Sequence, residues 1–303
     1  MKVLVIGGSG LIGGETALYL KARGHEVSIM SRRPPQAPVL AELPFVAGDY
    51  INENMADGRL EGFDALVFSA AADIRNVPTD GSVMPEDVYT RANDIAVPRA
   101  LQAARDAGIG SVVYIGTFYP QVAPERIGEC PYVTSRANTD RAVRALNRDN
   151  FRVCCLDLPF VLGHIEGTEV PYIAALVNYA SGNLPELPVF APKGGTNHIT
   201  SRSVAQAVRG ALENGEGGKA YLIGDENLTW KEYLERWFAA VGNPTDLEVR
   251  DDDHPLLPNA IMFAGAGATV SYETSEQVRQ LLGNFDRQRV GEMIKTVVAV
   301  HSP

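Results

Sequence analysis

Lys2-Val3-Leu4-Val5-Ile6-Gly7-Gly8-Ser9-Gly10-Leu11-Ile12-Gly13 opens the chain, and its reading decides the fold. The apolar run 2–6 has the length of a buried strand and breaks directly into glycines. An amphipathic stretch follows from about Glu15 to Ala22, then Gly24 as a stop and a second strand from Glu26 to Met30. A strand, a glycine turn and a helix N-terminus form a cradle for phosphate. Unpaired N–H groups and the positive end of the helix dipole point outward, and the missing side chains let a diphosphate approach. The competing reading is an ordinary glycine-rich βα turn, which the strand-before and helix-after context disfavours. The glycines satisfy two spacings, Gly7/Gly10/Gly13 and Gly8/Gly10/Gly13, and the stretch alone does not choose between them.

Outward from this stretch, strand-like and helix-like runs alternate. Phe45–Asp49, Ala65–Ala70, Ser111–Ile115 and Arg152–Asp157 read as further strands, with helices over about Val88–Ala107 and Ser135–Asn147. This predicts an α/β fold, a doubly wound parallel sheet with right-handed crossovers and a ligand at the strand carboxyl ends. Beyond Pro159 the pattern loosens. A helix is expected near Tyr172–Ala180, another over Ser203–Leu212, a strand at Ala220–Ile223 and a Thr229-capped helix over about Trp230–Val241. The expected organisation is a dinucleotide-binding core over 1–162, rejoined by segments within 196–225. Residues 163–195 and 226–303 form a smaller, mostly C-terminal substrate-binding region.

Bulk properties bound the function. The 303 residues suffice for a large core, and 45% hydrophobic with 21% charged residues is a globular composition. A formal net charge of −10 opposes nucleic acid or an anionic membrane as a general partner. The apolar N-terminal run is too short for a signal peptide, and no stretch is long enough to span a bilayer. Cys130, Cys154 and Cys155 have neither disulfide-framework nor metal spacing, which predicts a reducing, cytoplasmic setting and no metal site.

The motifs in order resemble the extended short-chain dehydrogenase/reductase family, the NAD-dependent epimerase/dehydratase group, over roughly three quarters of the chain. Gly7, Gly10 and Gly13 fit its glycine pattern, which settles the spacing, and place Ser9, Leu11 and Ile12 in the same turn. Asp49, followed by Tyr50, matches the acidic residue set against the adenine. Ala70-Ala71-Ala72 matches the alanine-rich loop after the fourth strand, with Asp73 next on the substrate side. Asn93 matches the asparagine of the central helix, and Pro159 begins a similar proline-to-glycine turn. The resemblance implies a Rossmann dinucleotide site, a small-molecule substrate and a homodimer through a helix pair.

At the end of the second strand a carboxylate would bond ribose hydroxyls and repel a 2′-phosphate. This chain has Ser31-Arg32-Arg33 instead, and guanidinium forks suit a phosphate, so NADP(H) is preferred with NAD(H) as the alternative. A solvated basic pair ahead of Pro34-Pro35 is the bland reading.

For chemistry, Thr117 and Tyr132 resemble the family's orienting hydroxyl and acid/base tyrosine. The family lysine one helical turn after the tyrosine is here Arg136. Arginine supplies the cation that lowers a phenol's pKa, but it never deprotonates and needs a different geometry on the ribose. On the substrate side, sugar-nucleotide members of the family carry an arginine where this chain has Thr196, with Arg202 nearby. Phe118, Tyr119, Phe160 and Tyr172 are placed to flank an apolar pocket or to fill the core. His164 and His198 are candidate substrate contacts or structural histidines. The leading expectation is an NADP(H)-dependent reductase of a small carbonyl, or dehydrogenase of the alcohol. The alternatives are a nucleotide-sugar epimerase or dehydratase, and a dinucleotide-binding regulatory or RNA-associated protein without chemistry.

Overall fold

The computed structural model describes residues 1–168 and 170–301; residues 169, 302 and 303, which fall in the expected substrate-binding segments, lie outside them. Strand β1 (Lys2–Ile6) runs into helix α1 (Leu11–Ala22), then β2 (Glu26–Ser31), the short α2 (Pro38–Ala41), β3 (Phe45–Ala47) and β4 (Ala65–Phe68). Next come α3 (Pro85–Tyr89), a π-helical turn (Thr90–Ile95), α4 (Ala96–Asp106), β5 (Ser111–Thr117), the short α5 (Tyr119–Val122), α6 (Pro131–Arg144) and β6 (Arg152–Leu158). Among the described residues seven strands form one sheet in the order β10-β6-β5-β4-β1-β2-β3, where β10 is Ala220–Leu222, and every pairing is parallel. Strand order turns back between β1 and β4, so a crevice opens at their carboxyl ends.

β4 is buried along its whole length, as a strand covered on both faces must be. Val3, Val5, Val67 and Leu156 face α1 and α8 (Ser201–Asn214), and Leu4, Leu66, Tyr114 and Cys155 face α4 and α6. Cys154 and Cys155 therefore lie on opposite faces as core thiols.

The expected single helix over 88–107 is interrupted by the π turn at 90–95. Pro98 has no N–H to donate back to the Asp94 carbonyl, so the ladder widens where the turn meets α4. The third strand ends at Ala47 rather than Asp49, because Gly48 and Asp49 turn away to line the crevice.

The remainder forms a second layer. β7 (Phe160–Leu162), β9 (Gly195–Thr200) and β11 (Glu226–Thr229) pair into a small sheet, and β8 (Ala191–Pro192) pairs with β12 (Val249–Arg250). Helices α7 (Pro171–Ala180), α9 (Trp230–Ala240) and α11 (Val290–His301) close over a core containing Leu176, Tyr233, Trp237 and Ile294, while α10 (Glu276–Leu281) lies against α8. Thr229 caps α9 as expected, and with Glu232 it forms a reciprocal capping box. Of the rejoining segment 196–225, α8 packs on α1 and β10 extends the main sheet, whereas β9 belongs to the small sheet. Among the described residues no helix is long and apolar enough to cross a membrane, and no group of His, Cys, Asp and Glu is placed to hold a metal ion.

Candidate active site

The glycine turn is shaped by close approach. Gly7 adopts φ +85°, and a Cβ on Gly13 would lie 2.4 Å from the Gly7 carbonyl oxygen and from Ser69 Oγ. Any side chain there would push the turn off the sheet. A Cβ on Gly10 would meet only the Gly7 oxygen, at 3.4 Å, and otherwise enter open space. Gly10 is the N-cap of α1, no side chain caps the helix, and its first turn carries no acidic residue. The free N–H groups of Leu11 and Ile12 and the helix dipole thus face an uncrowded hollow, which fits a dinucleotide diphosphate.

An open cleft continues from this turn. One part, about 1260 Å³, is lined by Ser9, Ser31, Arg32, Arg33, Asp49 and Arg59. A second part, about 640 Å³, shares Ser9, Ser31, Arg32 and Asp49 and extends past Tyr50 to Ala70, Ala71 and Ala72. Asp49 accepts from the Ile51 N–H (3.0 Å) and from Asn52 Nδ2 (2.7 Å). Burial works to raise its pKa, but these hydrogen bonds prevail and hold the carboxyl below its ordinary range. Arg32 and Arg33 are exposed and form no ion pair among the described residues, while Arg59 is engaged by Asp57 and Glu53.

Asn93 lies in the π turn, fully buried, and grips the alanine loop. Its Oδ1 accepts from the Ala72 N–H at 2.8 Å and its Nδ2 donates to the Ala72 carbonyl at 3.0 Å. The loop carries Asp73, which caps a short 3₁₀ turn and pairs with Arg75.

Tyr132 packs against Ala72, Tyr89 and Ala92, and Ala72 and Ala92 line the cleft. Thr117, at the end of β5, presents its hydroxyl to the phenol. Burial raises the phenol above its ordinary pKa, and the Arg136 guanidinium and the Thr117 hydroxyl pull it back. Helical spacing stacks Arg136 one turn beyond Tyr132 on α6, where its Nη2 donates to the Ile115 carbonyl at 2.8 Å. Its guanidinium carbon lies 5.5 Å from the Tyr114 ring centroid, and Nε and Nη1 have no hydrogen-bond partner among the described residues. Pro159 is buried at the junction of β6 and β7.

Around Tyr132 the structure assembles an aromatic box of which the sequence disclosed only Tyr119. Phe263 stacks on the phenol ring with centroids 4.2 Å apart, and Tyr89 (5.6 Å) and Tyr119 (6.4 Å) meet it edge-on. Phe118 is buried behind Tyr119. Phe263 is anchored through its carbonyl, which accepts from Arg126 Nε at 3.1 Å. Its signal was an isolated phenylalanine entering the small-residue run Ala264–Ala268, in a segment with no periodicity.

The other aromatic and histidine candidates lie elsewhere. Phe160 packs with Tyr172, His198 and Trp230 in the second layer. His198 is fully buried, stacked on Tyr233, with Nδ1 bonded to the Thr196 carbonyl. His164 lies against His301 of α11. Thr196 is buried in β9, and Arg202 is paired with Glu15 and lies over Tyr19 of α1. The net result places Thr117, Tyr132, Arg136, Asn93 and the alanine loop together, and separates Phe160, Tyr172 and His198 from them.

Residues 3–224 match the NAD dependent epimerase/dehydratase family. The chain belongs to that family. It is 28% identical over 265 residues to a 2-alkyl-3-oxoalkanoate reductase of Stenotrophomonas maltophilia (strain K279a), covering 80% of this chain and 77% of that one. It is 25% identical over 315 residues to a UDP-glucose 4-epimerase of Corynebacterium glutamicum, covering 93% and 90%. Its fold superposes on the UDP-glucose-4-epimerase of Stenotrophomonas maltophila crystallised with bound NAD, with TM-score 0.75, 19% identity and 99% and 98% coverage. The family is one of NAD-dependent oxidoreductases and epimerases on a Rossmann sheet, and this chain has that sheet.

Proposed function

We propose that this member is an NADP(H)-dependent reductase of an apolar ketone or aldehyde, and oxidises the alcohol in reverse. The observation that carries the reading is the setting of Tyr132: a phenol acted on by Thr117 and Arg136, boxed by Tyr89, Tyr119 and Phe263, and packed against Ala72 and Ala92, which line the dinucleotide cleft. When bound, the nicotinamide would supply or accept hydride. Tyr132 gives its Oη proton to the oxygen of the reduced carbonyl, and Thr117 donates a hydrogen bond that orients that oxygen. Arg136 lowers the cost of the phenolate left behind, which regains its proton from solvent.

Exposed, and without an ion pair among the described residues, Arg32 and Arg33 favour the 2′-phosphate cofactor, with NAD(H) as the alternative. A homodimer through a helix pair and a cytoplasmic setting belong to the same proposal, the latter supported by three free thiols.

The second reading is a nucleotide-sugar epimerase, favoured by likeness to the Corynebacterium enzyme along 93% of the chain. Against it stand the apolar walls around Tyr132, the burial of Thr196 and the pairing of Arg202 with Glu15. The deciding experiment follows NADPH consumption with a panel of alkyl and aryl ketones, beside binding of UDP-glucose. The expected result is ketone-dependent consumption, reduced about 10²–10⁴-fold in Tyr132→Phe with NADPH affinity retained. Saturable UDP-glucose binding without ketone turnover would favour the epimerase. Cofactor binding with neither leaves a non-catalytic protein.

A further inference from the structure

Gly116 and Asp157 face each other across the β5–β6 pair. A Cβ on Gly116 would lie 1.9 Å from Asp157 Oδ1, so the residue just before Thr117 leaves a gap that this carboxyl fills. The side chain belongs to the sheet face covered by α6: it alternates with Leu156 and Leu158, which face α1 and α8, and shares its side with Cys155. Asp157 is 3% exposed; Oδ2 accepts from Gln121 Nε2 at 2.5 Å, and Oδ1 has no partner among the described residues. Arg136 packs on that same face, 4% exposed, with two guanidinium nitrogens unpartnered. The groups influence each other electrostatically without forming a direct ion pair. A carboxyl and a guanidinium are thus both buried on one sheet face with polar atoms to spare on each, a costly arrangement unless they act on each other.

We propose that Asp157 is the positioning residue for Arg136: its carboxylate draws the guanidinium toward the β5–β6 floor, and its neutral acid releases those N–H groups toward Tyr132 and the cofactor ribose. This rests on the reading of Tyr132, Thr117 and Arg136 as the reacting end of the cleft. The carboxyl is faced by Asp140, Arg144 and Arg136 from α6, Tyr114 from β5, Cys155 from β6, Gln121 from α5, and Tyr272 from the segment before α10. Burial, with Asp140 adding to it, lifts the carboxyl to about 7, while Gln121, Arg136 and Arg144 hold it from going higher. The two states therefore exchange in the working range.

The test is NADH affinity against pH, read from nicotinamide fluorescence. NADH is chosen because it has no 2′-phosphate, a group that itself titrates near about pH 6. In the wild type, binding is expected to weaken several-fold between pH 6 and pH 8, as Asp157 ionises and offsets Arg136. Asp157→Asn keeps an oxygen for Gln121 and should bind NADH tightly with that pH dependence gone. Superimposable wild-type and Asp157→Asn profiles would overturn the proposal. Gln121→Leu provides a second arm: loss of its hydrogen bond should move the inflection to higher pH, and an unmoved inflection counts against the proposal. Since NADH binding requires no turnover, failure of ketone reduction would refute the reductase reading and leave this result to be judged separately.

Discussion

Phe263 and Tyr132 lie nearly parallel, their planes 22° apart, although 131 positions separate them in sequence. The C-terminal segment thereby supplies one wall of the box around the proposed proton donor. Offset aromatic pairs of this kind contribute about 0.5–1.5 kcal/mol beyond the burial of their area.

Replacing that wall should change substrate preference before it changes cofactor binding. Phe263→Ala is expected to raise KM for an alkyl ketone by about tenfold, from the loss of apolar contact worth about 1–2 kcal/mol. NADPH affinity should stay as in the wild type, and Phe263→Leu should fall between. Steady-state kinetics over ketones of increasing chain length provide the check; a chain-length dependence untouched by Phe263→Ala would count against the box as a substrate wall.

Cofactor selection should reside in the basic pair. Arg32→Ala with Arg33→Ala is expected to weaken NADPH about tenfold or more, by removing two charge-assisted partners of a phosphate, and to change NADH little. Equal losses for the two cofactors in parallel titrations would refute the assignment.

Asn93 should matter for both stability and the cleft. Asn93→Leu leaves the buried N–H and C=O of Ala72 without their partners, at an expected cost of about 2–4 kcal/mol. Because Ala70, Ala71 and Ala72 line the cleft, NADPH affinity should fall with it. Denaturant midpoints and cofactor titration on the same variant test the link, and a loss of stability with cofactor affinity unchanged would uncouple the two.

Acid stability should carry the mark of His198. Burial depresses its pKa to about 3, outweighing the bond to the Thr196 carbonyl. Its contribution is fully present above about 6.5, and is lost as pH falls toward 3, because only the unfolded chain takes up the proton. Between pH 7 and pH 5 this amounts to about 2 kcal/mol. His254, depressed to about 4, adds a slope of the same sign. Asp157, raised to about 7, adds one of opposite sign, losing stability as pH rises from its unfolded pKa toward 7. The readout is therefore a difference: His198→Asn should show a shallower loss on acidification than the wild type, and parallel melting curves across this range would refute the assignment.

The sequence by itself determined the Rossmann sheet, because its information is local. A strand, glycines at 7, 10 and 13, and a helix start lie within a dozen residues, and the glycines are required by contacts within that same turn. Thr117, Tyr132 and Arg136 were picked out by resemblance to the family's motif, and of their arrangement only the helical turn from Tyr132 to Arg136 is local. The π turn was less legible, since periodicity continues across it and only Pro98 marks the break.

Tertiary structure alone decided the neighbourhood of Tyr132. Phe263 arrives from an aperiodic segment, and no local rule ties it to α6. Asp157 was visible as a charge ending an apolar strand, but only the packing of α6 sets Arg136 over the same face, beside a glycine that makes room. Likewise only packing sends Phe160 and His198 into the second core, since an aromatic ring lowers its free energy equally well against a substrate or against Trp230 and Tyr233. Local spacing specifies the scaffold; burial, which is non-directional and satisfied by any apolar neighbour, leaves the surroundings of Tyr132 and Arg136 to the folded chain.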